Sequence, residues 1–267
     1  MLFSRTSLVV ASLLAVTVAA RPAEKRWGGW GGSWGGGASN NWWHSAPAAS
    51  FGDFGKRWGL DSGSCDMAAA VQNMNLAAAD PPLPSPHPGL SLFSVVVGRG
   101  TQNYTCDLSN TTAVPTPVGA VASLFDVSCV AATAKELLPA LSVIALNLPV
   151  PSSDDTSSPI MQDMTGHHYF LDDTTAFFNL DTSLHQYGMG ALQKANASDA
   201  PTTSYAGPGG QGNGAVQWLK LDVKPAAQDS FKQVYRLDTA GGVPPKMCTG
   251  SPAAFEVPYA AVYWLFK

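Results

Sequence analysis

The chain has 267 residues, a formal net charge of −4, 45% hydrophobic residues and only 13% charged ones. Residues 1–57 hold six basic and two acidic side chains, net +4, so residues 58–267 hold nine and 17, net −8. An acidic domain of that kind repels phosphate backbones and anionic headgroups, which argues against nucleic acid or anionic membrane as a partner. Its 210 residues suffice for one sizeable core.

Residues 1–20 read as a signal peptide. Arg5 supplies a positive n-region, residues 6–17 are apolar and uncharged, and Val18, Ala19 and Ala20 offer small residues for cleavage before Arg21. The apolar run is shorter than the roughly 20 residues a spanning helix needs. The expectation is therefore a secreted, extracellular protein with no transmembrane span. Residues 21–57 read as a pro-region. Within it, Lys25 with Arg26 and Lys56 with Arg57 form two dibasic processing sites, each followed by Trp-Gly. The segment between them carries five of the eight tryptophans and nine of the 26 glycines. Trp27, Trp30 and Trp34 have helical spacing, but each intervening glycine costs about 1 kcal/mol in a helix. Cleavage after both pairs would release an interface-seeking Trp/Gly peptide, or discard a spacer, and leave a domain beginning near Trp58.

Residues 58–89 read as a linker. Ser64 could cap a helix with apolar positions Met67, Val71 and Met74, and PPLPSPHPG after it favours an extended polyproline run. Residues 90–267 read as a mainly β domain, a single antiparallel sandwich or barrel with one or two short helices. LSLFSVVV (90–97), GTQNYTC (100–106), VGAVASLFDVSC (118–129), HHYFL (167–171) and TTAFFNL (174–180) are strand-like. ATAKELLPALSVIALNL (132–148) is the one good helix candidate, interrupted at Pro139. A Ser/Asp/Pro loop precedes His167. In QWLKLDV, Leu219 and Leu221 share a face opposite Trp218 and Lys220. In FKQVYRLDT, Tyr235 and Leu237 oppose Arg236 and Asp238. VPYAAVYWLF (257–266) is apolar on both faces and so reads as a strand buried on both sides. The total is nine or ten short strands.

Cys65, Cys106, Cys129 and Cys248 make an even count without a C-x-x-C pair, which in an oxidising compartment implies two disulfides and argues against zinc. Three connectivities are possible; Cys106–Cys248 with Cys65–Cys129 is favoured. Sequons at Asn103, Asn110 and Asn196 fit the secretory route, with Asn110 and Asn196 the better glycosylation candidates because they lie in polar, turn-like sequence.

GRGTQNYTC (98–106), ASLFD (122–126), G-x-H-Y-F (166–170), VQWLKL (216–221), YRLDTAGG-x-PP (235–245) and VPYAAVYW (257–264) occur in that order. This ordered set resembles a secreted family, common in fungi and found also in bacteria, classed as a domain of unknown function; some members carry a malate dehydrogenase label. The resemblance covers residues 62–267 and implies a β-rich secreted domain with a structural role for Cys106 and Cys248. It implies no catalytic residues. Residues after His168 are shorter and less Gly/Pro-rich than the family pattern.

The dehydrogenase label does not fit the residues. Gly207, Gly209 and Gly212 match G-x-G-x-x-G, but they lead into a strand, whereas a dinucleotide site needs a helix N-terminus there. The domain also has only Arg99 and Arg236 to clamp a dicarboxylate. No cofactor and no metal are expected. There is no G-x-S-x-G elbow and no H-E-x-x-H. His167 and His168 point to opposite faces of a strand, although one could meet Asp172 or Asp173 across a turn. His168, Tyr169, Asp126 and Asp238 are the candidate ligand-site residues. Two functions follow. The first is non-enzymatic binding of cell-wall polysaccharide or another extracellular surface by a monomer, through Tyr169, Trp218 or Trp264. The alternative is a secreted hydrolase acting on polysaccharide.

Overall fold

The computed structural model describes residues 65–150, 164–225 and 229–267. The expected signal peptide, both Lys-Arg pairs, the Trp/Gly segment, Ser64 and the Ser/Asp/Pro loop lie outside the described residues.

Eight antiparallel strands form one closed barrel: β1 (Leu92–Thr105), β2 (Thr116–Asp126), β3 (Met164–Asp172), β4 (Thr175–Asp181), β5 (Gln186–Ser198), β6 (Trp218–Val223), β7 (Gln233–Gly241) and β8 (Ala254–Phe266). Each strand pairs with its neighbour in sequence, and β8 closes on β1. Of the two architectures expected, the barrel is the one adopted, with fewer and longer strands. The segments 90–97 and 100–106, read as separate strands, merge into one strand of 14 residues, Leu92–Thr105. Gly98 and Gly100 do not break it, because both are places of close approach. A Cβ on Gly100 would stand 1.7 Å from the Val121 carbonyl oxygen, and one on Gly98 would stand 2.7 Å from the Tyr263 ring.

The period-two pattern gives each strand an inward and an outward face. Val96, Leu124, Phe178, Leu192, Leu221, Val234 and Leu265 fill the barrel. A second apolar cluster lies outside it, where Val95, Val97, Phe125, Leu237, Val262 and Trp264 are covered by helices. These are α1 (Met67–Gln72), α2 (Ser128–Thr133) and α3 (Leu138–Asn147), and α3 packs across β1, β7 and β8. Coverage on both sides is why β8 is apolar on both faces.

Local sequence accounts for the helix ends, with two changes from expectation. Asp66 caps α1, its Oδ1 accepting from the Ala68 and Ala69 amides at 3.0 Å. The helix expected over 132–148 begins only at Leu138, and Pro139 sits in its first turn, where no amide donor is needed, instead of interrupting it. At its C-terminal end Arg99 Nε donates to the Leu148 carbonyl at 3.0 Å, placing a cation where the helix carbonyls point.

The Pro-rich segment is tied down as a strap. Lys220 Nζ donates to Ser85 O at 2.8 Å, the Tyr235 hydroxyl donates to Pro84 O at 2.7 Å, and Leu83 is buried. Helices and strap together leave Trp218 and Trp264 only 2% and 1% exposed. Coverage also decides which face of β7 turns inward. Tyr235 and Leu237 face outward beneath this layer, whereas Arg236 points into the barrel, paired in register with Leu219 and Tyr263. The cysteines pair as Cys65–Cys129 and Cys106–Cys248, with Cα separations of 5.1 and 5.6 Å.

Candidate functional site

The four candidate residues occupy different places. His168 and Tyr169 sit on opposite sides of β3. Asp126 ends β2, where its Oδ1 accepts from the Ser128 amide at 2.6 Å at the start of α2. Asp238 lies in a bulge of β7, between the Leu237–Val262 and Ala240–Ala260 pairs.

On the outside, Tyr169 of β3 pairs with Phe177 of β4, their half-buried rings 5.2 Å apart. The adjacent outward row places His167 opposite Asn179 and Ser123. Burial lowers the His167 pKa, so its imidazole is neutral at neutral pH. An aromatic pair beside a row of neutral hydrogen-bonding groups thus lies on strands opposite, in barrel order, to those that α3 covers. The tryptophans expected to share this role are core residues on the covered wall.

Inside, His168 stacks on Phe178 at 4.3 Å and bonds the Phe177 carbonyl through Nδ1 at 3.0 Å. Desolvation pushes its pKa down to about 4, so it too is neutral. The Tyr263 ring packs against both side chains. The hydroxyls of Tyr263 and Tyr259 are 2.9 Å apart, Gln102 lies beside Tyr259, and Arg236 lies beside Tyr263. Tyr104 completes the group, donating to Gly242 O at 2.8 Å. Sequence reasoning found His168 but not the rest. The signal was present, since Tyr259 and Tyr263 share a face of β8.

Asp238 is the one residue other than glycine with a positive φ, 48°, among the described residues. Burial raises its carboxyl pKa to about 6. A raised pKa stabilises the fold below the ordinary carboxylate range and loses that contribution as pH rises through 6. The lowered His168 pKa acts oppositely, with stability present above 6.5 and lost as pH falls through 4. Asp238→Asn keeps the backbone geometry and removes the charge. At pH 7.5 it is expected to raise Tm by on the order of 5 °C. Thermal melts across pH 4–7.5 should show that gain shrinking toward pH 4; a pH-independent difference would refute this account.

The remaining candidates are accounted for locally. Asp172 accepts from the Thr174 amide and the Thr174 and Thr175 hydroxyls and faces Lys224 at 3.8 Å, so it serves its own turn and not a histidine. Within the stretch from Gly207 to Gly212, Pro208–Gly210 form a short 3-10 turn before β6. Asn110 is exposed in a turn, Asn196 is exposed but lies within β5, and Asn103 accepts from Thr101 Oγ1 at 3.1 Å. Among the described residues, no three His, Cys, Asp or Glu side chains cluster to hold a metal, and no helix is long and apolar enough to cross a membrane.

The model of one family, described as a protein of unknown function (DUF3455), matches residues 86–267. No curated protein and no solved structure matches.

Proposed function

The chain belongs to this family of unknown function, and from that premise we propose a secreted, glycosylated, monomeric barrel that binds extracellular polysaccharide such as cell wall. The observation that carries it is the outward Tyr169–Phe177 pair flanked by His167 and Asn179. Aromatic faces stack on the C–H faces of sugar rings, and neutral donors and acceptors beside them bond hydroxyls without costly desolvation of charge. Two disulfides and the signal-like residues 1–20 support export. Processing at the two Lys-Arg pairs would then leave a protein beginning at Trp58.

The test uses protein recovered from culture medium, its N-terminus and glycan mass read by mass spectrometry. It is incubated with insoluble chitin, β-glucan and cellulose, and both protein depletion and soluble sugar are measured. Depletion without sugar release is expected. Sugar release would make it a hydrolase, and no depletion on any of the three would end the polysaccharide reading.

A further inference from the structure

We infer that the interior of the barrel binds one small, free carboxylate anion, held between Arg236, Gln102 and the Tyr259–Tyr263 hydroxyl pair. This site is separate from the outer wall and does not rest on the polysaccharide reading.

The argument is an inventory of donors and acceptors. Arg236 is a permanent cation only 8% exposed. Of its five N–H donors, Nε and Nη2 both go to the Gln217 carbonyl, at 3.1 and 2.9 Å, and the guanidinium also leans on the Tyr263 hydroxyl, which leaves part of its donor set unspent. Among the described residues no carboxylate pairs with it; Asp238, two positions along the strand, forms no ion pair with it. A buried cation without a counter-ion is costly. Gln102 is likewise 8% exposed; its side chain leans toward the Tyr259 hydroxyl, but its Nε2 reaches no partner at ordinary hydrogen-bond distance and angle. Of the two linked phenols, one must donate to the other, which leaves the second with a hydroxyl hydrogen to give.

The cluster therefore combines one positive charge with unspent donors, and its inward neighbours Gly98, Ala122 and Phe178 offer no anion. A carboxylate meets both needs: one negative charge, and two oxygens able to take bidentate bonds from a guanidinium while accepting from an amide and a hydroxyl. Eight strands enclose a space wide enough for packed side chains or one small ligand. With every one of these groups at least nine-tenths buried, the occupant must be enclosed. A free small acid fits; a peptide terminus or lipid headgroup, which trails a chain, does not.

The probe is sodium acetate, titrated against the full secreted protein with sodium chloride at matched ionic strength. Thermal shift and the NMR signals of the Arg236 Nε–H and Gln102 side-chain amide are the readouts. A saturable rise in Tm beyond the chloride control, with movement of both signals, is expected. Gln102→Leu should weaken acetate binding on the order of tenfold or more, the loss of one charge-assisted bond. Tyr169→Ala with Phe177→Ala should leave it unchanged. Arg236→Gln should abolish it; if that variant fails to fold, the Gln102→Leu comparison alone decides. A rise no larger than with chloride, or one undiminished in Gln102→Leu, would overturn the inference. So would a crystal structure grown in acetate that holds only water at Gln102 Nε2.

Discussion

Replacing Cys106 and Cys248 together with alanine is expected to cost about 5 kcal/mol, because the bridge closes a loop of 142 residues. For a domain of this size that is a fall in Tm of about 10–20 °C. The bridge joins the loop after β1 to the loop before β8, beside the Cys106 amide bond to Ala253 O and the Cys248 amide bond to Ala113 O, both 2.8 Å. It therefore staples the seam where the first and last strands close the barrel. The native bonds around it should survive in the variant, so circular dichroism at 20 °C should match the parent while the melt moves. A shift below about 3 °C would mean that the unfolded chain is already constrained there.

The second large effect is expected at Gly100. Its missing side chain admits the Val121 carbonyl, and the nearest atoms to an added Cβ are backbone, at 1.7, 2.6 and 2.7 Å. Backbone cannot rotate away as a side chain can. Gly100→Ala must therefore push β1 and β2 apart at the Gly100–Ala122 pair, in the middle of the barrel wall. A loss on the order of 4 kcal/mol or more is expected, seen as insoluble expression or a melt lowered by about 10 °C or more. Thr101→Ala, one residue along and half-buried, should change Tm by no more than a few degrees and serves as the control. A soluble Gly100→Ala protein with an unchanged melt would show that the strands can part without cost.

These two effects illustrate what could and could not be read from the residues. Strand content was legible because β6 and β7 alternate plainly, and the doubly apolar β8 correctly implied cover on both sides. The choice between sandwich and barrel was not legible, because closure depends on the β8–β1 pairing between residues some 160 positions apart. Gly98 looked like a strand break; only the close approach of neighbours shows it and Gly100 to be wall residues. The outward placement of Tyr235 and Leu237 was not legible either. A face hidden by a strap and a helix looks, in sequence, like a face hidden by a core. Alternation set Arg236 apart from Tyr235 and Leu237 without saying which face turns inward. Its inward position appears only when the register sets it opposite Tyr263. His167 and His168 were placed on opposite faces by alternation alone, and they do lie on the outer wall and in the interior.

The central functional claim is that the outer wall of β3 and β4, and not the interior, engages polysaccharide. The most direct measurement is depletion of protein by insoluble polysaccharide, comparing the parent with the Tyr169→Ala, Phe177→Ala double variant. Loss of both rings is expected to weaken binding on the order of tenfold or more, with the melt little changed because both side chains are only half-buried. Undiminished binding by the double variant, with its fold intact, would contradict the claim and move the search to another face.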